Sequence, residues 1–198
     1  MEQGERLPTE PWLSVVAQPS PRAAAVVSFP GRIVIAADVE PGWVTGLLPD
    51  FDLCAPLNPP FLNALAGKLD RRVNNIDLMM LAAPVAGPPD LPLSPVADAD
   101  HPRVRRARRY RDDVRIWTTD GGVLVLGRGL GGRWETAIEV TEGLRNRGLG
   151  RRLAAAARNL VPEGRPVWAQ VAPGNAASVR AFLAAGYAPI GAEALLVR

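Results

Sequence analysis

The sequence predicts an α/β protein built on a mixed sheet, and three features carry that expectation. β-Branched runs such as AAAVVSF and VLVLGRG alternate with helical segments such as PPFLNALAGKL and LGRRLAAAARNL; the first kind suits a pleated surface and the second fits a helical period. The turn Asp120-Gly121-Gly122 separates two β-branched runs and reads as a hairpin. With 198 residues, 47% of them hydrophobic, the chain can bury a real core.

Ahead of Ala83 the order is strand (AAAVVSF), strand (GRIVIAADV), a short helix opened by Pro41 (PGWVTGLLP), a helix (PPFLNALAGKL) and a strand (NNIDLMMLA). Proline fits the first helical turn, where its missing N–H has no partner to lose. The stretch APVAGPPDLPLSPVADAD, Ala83 to Asp100, interrupts both periods, because proline removes a donor and restricts its neighbour. It divides the chain into an N-terminal α/β lobe, 1–95, and a second domain, 98–198.

The second domain opens with the basic segment HPRVRRARRYR. VRIWTT and VLVLGRG form the hairpin, GRWETAIEV is a third strand, and a helix starts at about Gly150. A strand (PVWAQV), a helix (NAASVRAFLAAG) and a terminal strand pair in YAPIGAEALLVR complete the order.

Composition narrows the function. The formal charge is +3 with Lys68 the sole lysine, so positive charge is guanidinium charge, suited to bidentate contact with phosphate. One cysteine, Cys54, excludes an internal disulfide framework and a cysteine-built zinc site, and it reads as a buried structural thiol. No metal site is expected, since His101 reads as a helix-start residue. MEQGERLPTEPWLS lacks a signal pattern and no apolar run reaches membrane-spanning length, so the expectation is a cytoplasmic protein away from membranes. In HPRVRRARRYR the arginines spread round a helix, Tyr110 is the one aromatic and two aspartates follow at once, which disfavours nucleic acid as partner. Asp50, Asp52 and Asp70 read as scattered surface acids, with recognition of a cationic amine as the other reading.

Two glycine clusters remain. Gly127, Gly129 and Gly132 match G-x-G-x-x-G after a strand, but a dinucleotide fingerprint needs a helix at its third glycine, and here another strand follows. That cluster reads as a hairpin turn. The second, Arg145-Asn146-Arg147-Gly148-Leu149-Gly150, lies between a strand ending at Val140 and an alanine-rich helix. Unpaired backbone N–H groups at such a helix start suit a diphosphate, and glycine lets its oxygens approach. Gly-Lys-Ser/Thr is absent, which excludes a nucleotide-hydrolysing phosphate loop.

The run IEVTEGLRNRGLGRRLA resembles the acetyl-CoA-binding motif of the GNAT superfamily of N-acetyltransferases, Arg/Gln-x-x-Gly-x-Gly/Ala, and VWAQVAPGNAASVRAFLAAGY is similar to the family's second motif. The resemblance covers roughly Asp100 to Arg198. It implies a GNAT acyl-CoA N-acyltransferase fold in the C-terminal half, with the front lobe a degenerate GNAT-like half or a cap over the acceptor site.

By that resemblance, the strand before the motif splays, often at a bulge, and Ile138, Glu139 and Val140 pair with the pantetheine amides of coenzyme A. Arg145, Asn146, Arg147, Gly148, Leu149, Gly150 and Arg151 surround the pyrophosphate, leaving Arg152 and Arg158 as the helix's wet face. Asn175 matches an asparagine that hydrogen-bonds the cofactor, followed by Ser178 and Phe182 at helical spacing. Attack by an amine on the thioester needs a base, and Glu135 and Glu139 are the two candidates, on one strand face by period two. The developing oxyanion would meet a backbone N–H near Val140. Many relatives carry a tyrosine acid where this chain has Phe182, and Tyr187 reads as core. Two readings follow: an N-acetyltransferase moving acetyl from acetyl-CoA to a primary amine on a small molecule or peptide, or an acetyl-CoA-binding sensor or interaction module with little catalysis. Either would be a monomer or homodimer.

Overall fold

The computed structural model of the chain describes residues 11–198. The segment MEQGERLPTE, read above for a leader pattern, lies outside the described residues. In chain order the elements are β1 (Leu13–Val16), β2 (Ala23–Phe29), β3 (Arg32–Ala36), α1 (Pro41–Thr45), α2 (Pro59–Leu69), β4 (Arg72–Ala82), β5 (Ser94–Val96), α3 (Pro102–Tyr110), β6 (Asp112–Thr119), β7 (Gly122–Arg128), β8 (Trp134–Val140), α4 (Leu149–Leu160), β9 (Val167–Val171), α5 (Ala176–Ala184) and β10 (Ala188–Val197). The predicted α/β class with mixed pairing holds. No helix is long and apolar enough to cross a membrane among the described residues.

The chain divides into two compact units, one running up to Met79 and including Ile190–Arg198, the other Met80–Pro189. In the first, β1 runs parallel to β3. β3 pairs antiparallel with β2 across Pro30-Gly31, and β2 pairs antiparallel with β10 from Ser28 opposite Ala192 to Ala23 opposite Val197. Val26, Ile33, Ile35, Val44, Phe61, Leu65 and Leu196 make its core. α2 opens on Pro59 and Pro60, buries Phe61, Leu62 and Leu65 on one face, and stops at Asp70, whose φ of 51° is left-handed. Asp52 Oδ1 accepts from the backbone N–H groups of Cys54 (2.9 Å) and Ala55 (3.0 Å). Asp52 and Asp70 therefore shape the local backbone. Cys54 is exposed, contrary to the buried thiol expected, because Pro56 turns inward in the 3-10 turn that follows it.

In the second unit β9 runs parallel to β8, and β8–β7, β7–β6 and β6–β5 are antiparallel. α3 packs Val104 and Ala107 against Ile116, Val125 and Ala137. α4 presents Leu149 and Leu153 to Gly122. Residues 123 and 125 alternate with residue 122 along β7, so α3 and α4 cover opposite faces of this sheet.

The division between compact units falls at Met79/Met80, inside β4. Two expectations are corrected. The terminal segment is one ten-residue strand, not a strand pair, because its second half completes a ladder with β2. The proline-rich stretch carries β5 and is stitched to α4: Arg158 Nε donates to Ala83 O (2.9 Å), Asn159 Nδ2 to Gly87 O (3.1 Å) and Arg152 Nη2 to Asp90 O (3.0 Å). Proline removes donors from a segment but leaves its carbonyls, and these side chains satisfy them. Arg152 and Arg158 are thus fasteners, not merely a wet face.

Candidate active site

β8 and β9 pair only at Trp134–Val167, Glu135–Trp168 and Thr136–Ala169. On its other side β8 stays in unbroken register with β7 as far as Val140, opposite Gly122. The strands therefore splay beyond Thr136 by divergence of β9, without the bulge expected in β8. Thr141 N–H donates to Gly121 O at 2.9 Å, which makes Val140–Gly122 a non-hydrogen-bonded pair. The N–H and C=O groups of Val140 and, two residues back, Ile138 consequently point away from β7 into the gap. Glu139, between them, turns its backbone toward β7. At the closed end, the buried Thr136 Oγ1 has no hydrogen-bond partner among the described residues.

The second glycine cluster stands beside this gap. Gly148 is the N-cap of α4 with φ of 84°, and no side chain caps the helix. A left-handed N-cap directly after Asn146, itself at φ 61°, favours glycine and leaves the first-turn amides without side-chain acceptors. A β-carbon on Gly148 would meet nothing within 4 Å, and one on Gly150 only Ala181 and Val140 methyl groups at 3.8 Å. Space and donors for a diphosphate coincide here. Arg147 and Arg151 are exposed beside it. Arg145 is otherwise engaged: its Nε donates to Val140 O (3.2 Å) and its Nη2 lies 3.7 Å from Glu139 Oε1.

The two candidate carboxylates differ sharply. Glu135 is buried, 4% exposed. Its Oε2 accepts from Arg111 Nε (2.9 Å), and its Oε1 from Arg133 Nε (2.8 Å), Gln170 Nε2 (2.8 Å) and Leu130 N (3.3 Å). Burial pushes its pKa up, but the guanidinium groups of Arg133 and Arg111 prevail and hold it below the usual carboxylate range. With donors on both oxygens, Glu135 is held as an anchor for Arg111, Arg133 and Gln170. The first glycine cluster is built round it: a β-carbon on Gly129 would overlap its carboxyl group, and one on Gly127 would press on Arg111 at 3.0 Å. The G-x-G-x-x-G match is therefore a cradle for an anion of this chain's own.

Glu139 is half-exposed on the α3 face. Its Oε2 accepts from Arg103 Nε (3.0 Å) and Nη2 (2.7 Å), while Oε1 faces only the more distant Arg145. One oxygen is held in place and the other remains open to solvent or substrate.

α5 separates the remaining expected residues. Asn175 Oδ1 caps α5 by accepting from Ser178 N (3.0 Å), which leaves its Nδ2 to donate. Phe182 is buried, 4% exposed, and packs edge-on against Tyr187 at 4.9 Å between ring centroids. It belongs to the core and not to the rim of the gap. Tyr187 donates its hydroxyl to Ala154 O (3.1 Å), and burial pushes its pKa up. His101 caps α3, its Nδ1 accepting from Arg103 N (3.1 Å).

Arg103, Arg111, Arg133 and Gln170 were not singled out as site residues from sequence. The signal for the first two lay in the basic segment: residues 103 and 111 stand eight apart, about two helical turns, and meet carboxylates four apart on a strand.

Residues 135–195 match the family model described as FR47-like protein. Among solved structures, the chain is similar to a GCN5-related N-acetyltransferase from Kribbella flavida, with TM-score 0.43 and 16% identity over 70% of this chain and 63% of that one. It is also similar to a GCN5-related N-acetyltransferase from Sphaerobacter thermophilus (TM-score 0.42, 15% identity, 69% and 55% covered). A third is an acetyltransferase from the GNAT family from Colwellia psychrerythraea (TM-score 0.40, 11% identity, 71% and 63% covered). The chain spans less than two thirds of the length of each. No curated protein matches the sequence.

Proposed function

We propose that this chain, whose residues 135–195 match the FR47-like family model, is a GNAT-type N-acetyltransferase using acetyl-CoA and a primary amine. One observation carries the reading: the β8–β9 ladder ends at Thr136–Ala169 beside a helix that starts without a side-chain cap at Gly148. An amide-bearing chain can pair with the backbone of Ile138, the Val140 carbonyl being taken by Arg145 Nε, while a diphosphate meets the first-turn amides of α4. Acetyl-CoA supplies both groups, together with a thioester whose thiolate is a competent leaving group.

The chain's own residues then have separable tasks. Arg147 and Arg151 add charge beside the cradle, and Asn175 Nδ2 remains a donor. The Val140 N–H, turned into the gap, supports a developing oxyanion. Glu139 Oε1 takes the ammonium proton, directly or through water, while Arg103 fixes the other oxygen. No side chain is assigned as acid. Tyr187 keeps its proton in a buried hydrogen bond, Phe182 has none, and water protonates the thiolate.

Acetyl-CoA raising the unfolding temperature of the full chain, and release of free thiol with an amine panel, are the expected results. Gly148→Trp should fold yet lose the acetyl-CoA response, because its side chain would enter the cradle. An unfolding temperature indifferent to acetyl-CoA and coenzyme A would sink the reading. Stabilisation without thiol release from any amine would favour the sensor instead.

A further inference from the structure

We infer that the acceptor is a small amine bearing a carboxylate close to its amino group, of the α- or β-amino-acid class; this rests on the transferase reading above. The faces of the β7–β8 sheet place the two reactants. α4 and its cradle cover one face, whereas Glu139 extends from β8 to the other, where α3 lies. A thioester reaching through the gap from the α4 side presents its carbonyl toward α3, so the acceptor approaches along that helix.

What it meets there is cationic. Of the six arginines from Arg103 to Arg111, four have a carboxylate of this chain: Arg103 pairs with Glu139, Arg105 with Asp100, Arg108 with Asp98 and Arg111 with Glu135. Arg106 and Arg109 pair with no acid among the described residues. Both lie over Tyr110, at 5.3 and 5.4 Å from its ring centroid. Arg103, Arg106 and Tyr110 stand at i, i+3 and i+7, which puts them along one side of α3. Glu139, the base, stands at this end of the strip, with Arg103 on one oxygen and Arg145 near the other. A polycationic acceptor would be repelled from that surface.

An amine with its own carboxylate fits. Arg103 commits its Nε and one Nη2 hydrogen to Glu139 Oε2. Its remaining N–H groups, with Arg106 one turn along, can hold a substrate carboxylate. The adjacent ammonium then lies within reach of Glu139 Oε1. In the reaction that oxygen takes the ammonium proton, the nitrogen bonds to the acetyl carbon and loses its second proton to water, and the carbon–sulfur bond breaks to give the amide and a thiolate that water protonates.

The test compares matched acceptors with the full chain and acetyl-CoA: free amino acids, the same amino acids as carboxamides, and linear polyamines, read by thiol release. The carboxamide's less basic amine is the more deprotonated at a given pH, so a preference for the free acid cannot arise from the amine itself. The expected ratio of kcat/KM, acid over carboxamide, is about ten-fold or more, the size of one charge-assisted hydrogen-bond pair. Arg106→Gln should bring that ratio toward one. A ratio at or below one, or polyamines as the better acceptors, overturns the inference while leaving the transferase reading intact. Absence of transfer to every amine, with acetyl-CoA binding retained, overturns both.

Discussion

Gly129 and Glu135 occupy each other's space: a β-carbon on Gly129 would fall on the Glu135 carboxyl group. Gly129→Ala must therefore displace a carboxylate on which two guanidinium groups depend. The expected loss is about 3–5 kcal/mol in urea unfolding, the range for breaking a buried ion pair. Gly131→Ala, two residues on in the same turn, has left-handed φ of 62° but nothing within 4 Å of its β-carbon. It should lose only about 1–2 kcal/mol. Equal losses would contradict the cradle.

Glu135→Gln removes the charge but keeps the shape. The folded pKa of Glu135 lies below its unfolded value of ~4.3. Its stabilising contribution is thus complete above that unfolded value and is lost as pH falls through the folded one. At neutral pH the variant should be less stable by about 3–5 kcal/mol, because Arg111 and Arg133 stay buried without their acid. Its stability should also vary less steeply with pH on the acid side than that of the parent, as denaturant titrations at several pH values would show.

Thr136→Val tests the unpartnered hydroxyl at the closed end of the gap. Replacing it by an isosteric methyl group relieves a desolvation cost, so the free protein should gain about 1 kcal/mol, or a few degrees in Tm. A loss of stability would mean the hydroxyl has a hidden partner.

Tyr187→Phe deletes the hydroxyl that donates to Ala154 O. A stability loss of about 1 kcal/mol is expected. The pH profile and rate of thiol release should not move, because the hydroxyl is buried and engaged; a fall in kcat would make Tyr187 the acid.

Helices and long strands were legible because each carries a local signal. Pro59 and Pro60 opened α2 where expected, and the β-branched runs became β2, β6 and β7. The four residues of β1 and three of β5 carry no such signal, since neither run is long enough to show a period. The site was legible in outline for a similar reason: Gly148 and Gly150 mark a strand–helix junction in any context. The distinct roles of Glu135 and Glu139 were not, because both lie on one face of one strand. Residues 24 positions away, at Arg111, and 36 away, at Arg103, decide which acid is immobilised and which keeps an open oxygen.

The stitching of the proline-rich segment to α4 has a consequence for variation. Its acceptors on the segment are main-chain carbonyls, at Ala83, Val85, Gly87 and Asp90, and the Val85 N–H donates back to Arg158 O, whereas the side-chain donors are those of Arg158, Asn159 and Arg152. Main-chain groups survive most substitutions, so at this seam the segment can exchange its side chains provided its path is kept and Val85 retains its N–H. The helix cannot exchange its three donors. Mutational tolerance along this seam should be one-sided, permissive on the irregular strand of chain and strict on the regular one.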